Sequence, residues 1–255
     1  MKIATWNVNS LKVRLEHVKD WLAKSAADVL VLQEIKQVTE EFPLDALEAA
    51  GYTGVANGQK TYNGVAIIAR DPVLDVVTDF PGFDDPQRRI LAATYGDTRI
   101  VNLYVPNGAS LDSDKYQYKL RWLAALKDFL GDELNRHEKV VVLGDFNIAP
   151  DDRDVYDPEK WGEDILCSPP EREALQAILD LGFEDLFRRF VPKDKVFSWW
   201  DYRRFAFRRD AGLRIDLILT SQALTDCASD CTIDREPRGW ERPSDHTPVV
   251  AVFHG

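Results

Sequence analysis

Asp145 and Asn147 stand two positions apart in Gly144-Asp145-Phe146-Asn147, directly behind the aliphatic run Val140-Val141-Val142-Leu143. On extended backbone, side chains at i and i+2 point to the same side, so this carboxylate and carboxamide would face one spot. A carboxylate can take a proton from water, and an amide can hold that water or a phosphate oxygen. Gly-Asp-x-Asn is also sound loop chemistry on any surface, and the pair alone does not decide between the two. More polar residues of the same kind stand at the ends of strand-like stretches: Asn7, Glu34, Tyr104, Asn107, Asp216, Asp245 and His246. Each has an ordinary account when taken singly. Glu34 closes an apolar strand, where a carboxylate is either solvated or partnered by a cation. Together they supply hard oxygen donors and one imidazole, a set suited to Mg²⁺ and to metal-assisted hydrolysis of a phosphodiester. The chain has neither the His/Cys spacing of a zinc site nor the glycine pattern of a P-loop.

The elements that must position these groups are legible as periodicity. Lys2–Val8 alternates like a strand and runs into the amide-rich Asn7-Val8-Asn9-Ser10, where Ser10 could cap a helix carrying Val13, Val18, Trp21 and Leu22. Asp28–Gln33 reads as a buried strand, Pro43–Ala50 as a short helix, and Tyr62–Ile68 as strand again with Asn63-Gly64 as its turn. Ile90–Tyr95 and Arg99–Tyr104 form a hairpin pattern around Gly96-Asp97, and the second strand runs out at Pro106-Asn107-Gly108. Lys115–His137 is the longest predicted helix, with Tyr118, Trp122, Leu126, Phe129 and Leu130 on one face. After the strand Lys139–Leu143 come an acidic loop and a helix near Glu171–Leu181. Leu213–Leu219 and Val249–Phe253 close the strand set. Strands alternate with helices, yet several strand pairs join by hairpins, so mixed sheets are expected.

With 255 residues, 45% of them hydrophobic, the chain can bury a large core, as one α/β domain or two small ones. No Ser/Gly/Pro-rich linker and no repeat of fixed period interrupts it. Met1 leads directly into strand-like sequence with no signal peptide, and no apolar run reaches membrane-spanning length. Cys167, Cys227 and Cys231 make no disulfide framework, so free thiols in a reducing cytoplasm are expected. The net charge of −11 argues against a uniformly nucleic-acid-binding surface. Its distribution matters more: between Arg188 and Arg214 nine basic residues face three acidic ones, and Gln87-Arg88-Arg89 is a second basic spot. An acidic body with one basic face suits a polyanion docked on one side, although a single such cluster is more commonly a solvated loop.

Several segments, taken in order, carry a family resemblance: Ala4-Thr5-Trp6-Asn7-Val8-Asn9-Ser10, Leu32-Gln33-Glu34, Tyr62-Asn63-Gly64-Val65-Ala66, Tyr104-Val105-Pro106-Asn107-Gly108, Gly144-Asp145-Phe146-Asn147, Phe197-Ser198-Trp199-Trp200-Asp201-Tyr202-Arg203, Leu213-Arg214-Ile215-Asp216 and Pro243-Ser244-Asp245-His246-Thr247-Pro248. The sequence resembles the exonuclease III family of AP endonucleases and exodeoxyribonucleases, within the endonuclease/exonuclease/phosphatase superfamily. Any one segment is weak; the ordered set spans essentially the whole chain. The resemblance implies an α/β (α+β) fold of the DNase I-like kind: a single domain over residues 1–255, a four-layer α/β/β/α sandwich of two mixed sheets flanked by helices, with its active site at one rim. It implies a Mg²⁺-dependent hydrolase, with Mn²⁺ as a substitute, acting on double-stranded DNA at abasic sites or damaged 3′ ends. It also implies a monomer in the cytoplasm, associated with the nucleoid through DNA and not with a membrane.

By the same resemblance, Glu34 with Asn7 would hold the metal, with contributions from Asp245, Asp145 and Asn147. Asp145, assisted by Asn147, would orient and deprotonate the attacking water. His246 paired with Asp216 would bind the scissile phosphate, since a carboxylate fixes the imidazole tautomer and raises its pKa. Tyr104 would sit against the phosphate or leaving oxygen and Asn107 would donate to a phosphate. Trp199, Leu213 and Ile215 would form a small apolar pocket for a base-less sugar, which selects damage by shape. Arg89, Lys115, Arg203 and Arg208 would contact the DNA backbone. Two departures bear on substrate. Asn9 replaces an Asp carried by some relatives, and the loop Leu166-Cys167-Ser168-Pro169-Pro170-Glu171-Arg172 is shorter and richer in proline than usual. The balance among abasic-site incision, 3′→5′ exonuclease and 3′-end trimming therefore stays open. So does a small-molecule or lipid phosphodiesterase on the same fold, since fold does not fix substrate.

Overall fold

Twelve strands form two six-stranded sheets in the computed structural model, which describes residues 1–254. In chain order the strands are β1 Lys2–Asn7, β2 Val29–Gln33, β3 Thr53–Asn57, β4 Val65–Ala69, β5 Leu74–Val77, β6 Ile90–Tyr95, β7 Thr98–Tyr104, β8 Lys139–Asp145, β9 Phe183–Asp185, β10 Asp216–Ser221, β11 Ala228–Ile233 and β12 Val249–Phe253. The helices are α1 Leu11–Ser25, α2 Leu44–Glu48, α3 Asp114–Arg136, α4 Pro158–Trp161, α5 Pro169–Leu179, α6 Leu186–Phe190 and α7 Gln222–Thr225. One sheet runs β11-β12-β1-β2-β4-β3 and the other β5-β6-β7-β8-β10-β9. Each is mixed, and each holds one parallel pair, β1/β2 bridged by α1 and β7/β8 bridged by α3. Parallel neighbours need such a crossover because their ends lie at opposite edges of the sheet.

Strand periodicity separates the layers. Ile3, Val29, Val31, Val65 and Ile67 of the first sheet meet Leu91, Ala93, Ile100, Val141, Leu143 and Ile218 of the second in the central core. The intervening residues face outward: Ala4, Trp6, Leu30 and Leu32 under Val18, Trp21 and Leu22 of α1, and Val101, Leu103, Val140, Val142 and Leu217 under Trp122, Leu126 and Leu130 of α3. Strands covered on both faces read as continuous aliphatic runs. The result is the expected four-layer α/β/β/α sandwich of DNase I-like architecture.

Toward one end the central layer turns polar. Along β1 the inward residues are Ile3, Thr5 and Asn7, along β7 Ile100, Asn102 and Tyr104, and along β8 Val141, Leu143 and Asp145. A stitch between the sheets marks the transition. Gln33 donates to Thr5 (2.9 Å) and Asn102 (2.8 Å), and Asn102 donates to the Leu32 and Ala66 carbonyls across the interface (3.0 and 2.8 Å).

The structure departs from the predicted elements at particular places. Ser10 has φ 92° and its side chain caps nothing; the chain enters α1 through main-chain bonds to the Glu34 and Ile35 carbonyls. The predicted strand at Leu213 begins only at Asp216, because Leu213 instead bridges Val155 and Trp199. The strands β3, β5, β9 and β11 carry no predicted counterpart, and all four are sheet edges.

Candidate active site

Tyr104, Asp145 and Asp216 lie on one rung. In the pairing register Asp145 is opposite Tyr104 on the parallel side and opposite Asp216 on the antiparallel side. Directly paired residues project to the same face, so three side chains from three adjacent strands reach the same rim. The first sheet brings Asn7 to the same level. Its carboxamide donates to Glu34 Oε1 and to Asp145 Oδ2, both at 2.9 Å, and so joins the two sheets at the site. Glu34 follows β2 with φ 51°, a left-handed turn out of the strand.

His246 arrives from the loop before β12. Ser244 anchors this loop by donating to the Asn7 carbonyl (2.7 Å), and Trp6 donates to the His246 carbonyl (3.2 Å). The imidazole Nδ1 sits 2.8 Å from Asp216 Oδ2, while Nε2 faces Asp145 Oδ2 at 3.6 Å. Ser198 also donates to Asp216 Oδ2, at 2.6 Å. Burial works against a charge on His246, but Asp216 and Asp145 outweigh it and push its pKa up to about 10. Burial pushes Asp145 up to about 7, with His246 opposing and Asp216 reinforcing the rise. Burial and the neighbouring Glu34 and Asp145 hold Tyr104 far above its ordinary range, so it remains a phenol that can donate.

Asn147, with φ 48°, donates through its main-chain N–H to Asp145 Oδ1 (2.9 Å). Its carboxamide donates to the Val105 carbonyl (2.9 Å) and accepts from Asn107 (3.1 Å). Asp245 is engaged on both oxygens, by Asn9 Nδ2 and by Trp199 Nε1, each at 3.0 Å. Asn9 thereby holds Asp245 in place. Its side-chain oxygen accepts from Lys36 (2.5 Å), which also pairs with Glu34 Oε2 at 2.9 Å.

Glu34, Asp145 and His246 offer ligand atoms that all lie within 4.8 Å of one another. Of these, a charged imidazole has no lone pair to give, so the donor set for a cation is the two carboxylates, Glu34 and Asp145, which the Asn7 amide N–H₂ bridges while its oxygen accepts from the Asn9 N–H. Hard carboxylate oxygens at a partly open rim fit a divalent cation that keeps its waters. Asp245, held by Asn9 and Trp199, lies outside this trio.

The expected substrate-binding residues divide into separate groups. Arg89, Asn107 and Lys115 line one cleft of about 470 Å³. Arg89 is mostly buried, stacked 4.6 Å over the Tyr104 ring and donating to the Tyr104 carbonyl (3.1 Å). It is placed to steady Tyr104 more than to meet DNA. Trp199 and Arg203 line a second cleft of about 450 Å³. Arg203 is exposed and paired with Asp201 at 2.7 Å, and the exposed Arg208 lies over Phe205. Leu213 and Ile215 do cluster with Trp199, but at 0% and 2% exposure they are packed among Ala149, Val155, Leu166 and Cys167 and line neither cleft. Trp199 alone of the three is only partly buried; its neighbour Trp200 is core. Ser198, Ser244 and Lys36 escaped the sequence reading. Two are small hydroxyls inside the quoted motifs, and Lys36 follows Glu34 by two, but none carries a periodic signal.

The two-sheet sandwich with this rim of carboxylates, amides and a paired imidazole defines a phosphoester hydrolase. Residues 4–246 match the model of the endonuclease/exonuclease/phosphatase family, and the chain belongs to that family, in its exonuclease III branch. It is 36% identical to exodeoxyribonuclease III of Haemophilus influenzae, over 99% of this chain and 100% of that protein. Among solved structures it is similar to a 3′ phosphatase from Neisseria bound to a product DNA hairpin, with 52% identity, full coverage of both chains and TM-score 0.99. It is also similar to an AP endonuclease from Archaeoglobus fulgidus, with 38% identity, full coverage of both chains and TM-score 0.96.

Proposed function

We propose that this chain is a Mg²⁺-dependent DNA-repair nuclease whose single catalytic unit spans the sequence and works chiefly on damaged 3′ ends of duplex DNA. The observation that carries the hydrolytic chemistry is the rung of Tyr104, Asp145 and Asp216 with His246 seated between the two aspartates. Asp145 is the base. Its pKa near 7 and its anchoring by Asn7 and the Asn147 N–H leave it able to take a proton from water near neutral pH. Charged His246, held by Asp216, offsets the negative charge that grows on the phosphate oxygens. Tyr104 donates toward the phosphate, and Asn107 and Asn147 orient it. Glu34 and Asp145, oriented by Asn7, would hold the cation; when bound, magnesium neutralises phosphate charge and polarises the P–O bond, and Mn²⁺ would substitute.

Preference for 3′ ends over internal abasic sites is supported by the packing of Leu213 and Ile215. The apolar wall that would accept a base-less sugar is covered by Leu166 and Cys167. The similar structures also include a 3′ phosphatase from Neisseria. Among the described residues no helix is long and apolar enough to cross a membrane; the reading includes a monomer acting on DNA in the cytoplasm. The test is a side-by-side assay on duplexes carrying a 3′-phosphate, an abasic site or a plain recessed 3′ end, with magnesium and with chelator. Fastest turnover of the 3′-phosphate is expected, with loss of all three activities in chelator. Faster abasic incision would reject the substrate preference, and turnover in chelator would reject the metal.

A further inference from the structure

Lys119, in the middle of α3, is fully buried, yet its ammonium is not spent on packing. It donates to the Asn107 carbonyl (3.2 Å), the Asn147 carbonyl (2.7 Å) and Glu171 Oε1. An ammonium has three protons, and each is used. The first two acceptors are the main chains of the two amide residues to which the proposed function gives the phosphate. The third opens α5, where Glu171 also receives the Leu166 and Ser168 N–H groups (3.1 and 3.0 Å). Three loops, from different parts of the chain, therefore meet on one nitrogen.

The backbone around the ammonium is shaped to allow this. Gly108 has φ +96°, and a Cβ there would lie 3.3 Å from the Lys119 stem and 2.9 Å from Ile165. The 105–108 loop thus rests directly on the lysine. Asn147 holds a left-handed φ of 48° while its carbonyl points down to the same ammonium. Glu171 has an ordinary role of its own, since with Ser168 it forms the capping box of α5. Capping explains the carboxylate but not the lysine. Replacing a buried ion pair by apolar side chains of similar volume is commonly neutral or stabilising, so stability alone gives little reason for a charge here.

We infer that Lys119 is a positioning residue: by clamping the Asn107 and Asn147 main chains to the start of α5, it fixes both carboxamides toward the phosphate. This rests on the proposed function for its catalytic consequence, though not for the clamp itself. Lys119→Met tests it, with Lys119→Met/Glu171→Gln as the companion that leaves no unpaired buried carboxylate should the single variant fold poorly. By hydrogen exchange, the amides of segments 105–109 and 146–149 should open at least about ten times faster while strand amides stay protected. On a 3′-phosphate duplex, kcat should fall roughly 10- to 100-fold with KM nearly unchanged, the range seen when a supporting partner of a site is lost. In an Asn147→Ala background most of that loss should vanish, because the two changes act on one group. Unchanged exchange, unchanged kcat, or equal loss in both backgrounds overturns the inference. A wild-type chain that turns over no DNA would instead sink the functional reading, and the exchange measurement would then decide the clamp alone.

Discussion

At the scale of single residues, the site depends on two buried groups held in opposite charge states 3.6 Å apart. Turnover needs Asp145 ionised and His246 protonated. The rate should therefore climb as pH rises through about 7, or below it once a cation adds positive charge beside Asp145, and fall as pH passes about 10. Asp216→Asn removes a carboxylate that raises the His246 pKa, so the alkaline limb should move to lower pH and kcat should drop roughly 10²–10³-fold. A pH–rate profile in which that limb stays put would rule out the pairing as the cause. Asp145→Asn, which leaves the hydrogen-bonding shape but no base, should lower kcat by about 10²–10⁴-fold. The same imidazole has a stability signature. Its folded pKa lies above the ordinary 6.5, so its pairing with Asp216 stabilises the fold fully below that pH and is lost as pH rises toward 10.

At the scale of elements, the rung across β7, β8 and β10 is what makes a site out of separate strands. Gly144 secures it, for with φ 148° a Cβ there would fall 1.9 Å from the Leu103 carbonyl oxygen. Gly144→Ala should cost about 1–3 kcal/mol in strain, lower Tm by several degrees, and reduce kcat by displacing Asp145 from Tyr104. A melt and an activity assay that both match wild type would discount this role. Below the rung, Asn102→Ala would remove one hydrogen bond from each of two buried carbonyls and one of the two made by the Gln33 amide. At about 0.5–1.5 kcal/mol for each such bond, denaturant unfolding should show a loss of roughly 1.5–4.5 kcal/mol. The four strands without a predicted counterpart lie at this scale too. The edge strands are partly exposed, as in β5, where three of four residues are exposed, and a half-buried edge carries no long apolar run for sequence to reveal.

At the scale of the whole molecule, a chain of net charge −11 must meet a polyanion through local basic patches. Exposed Lys115, beside Asn107 in its cleft, and exposed Arg208, over Phe205, have no carboxylate partner among the described residues, whereas Arg203 is already paired with Asp201. Binding to duplex DNA should weaken as salt rises, and removing Lys115 or Arg208 should lower the slope of log Kd against log salt by about one each. Arg203→Ala should change it less. Slopes unaffected by either substitution would place the DNA elsewhere.

Residue type and period alone determined the eight inner strands, the two crossover helices and the chemical character of the site, because burial on both faces and hard-oxygen donors are properties a local stretch displays. Most partnership was decided only in three dimensions. The pairing of His246 with Asp216 was already implied by the family resemblance, but that His246 also faces Asp145, that Asp245 is taken by Asn9 and Trp199, that Arg89 lies beneath Tyr104, and that Leu213 and Ile215 pack with Leu166 all depend on how segments far apart in the chain come together. A slip of one residue would turn Tyr104, Asp145 or Asp216 to the opposite face, and nothing in a local pattern records which slip the folded protein has refused.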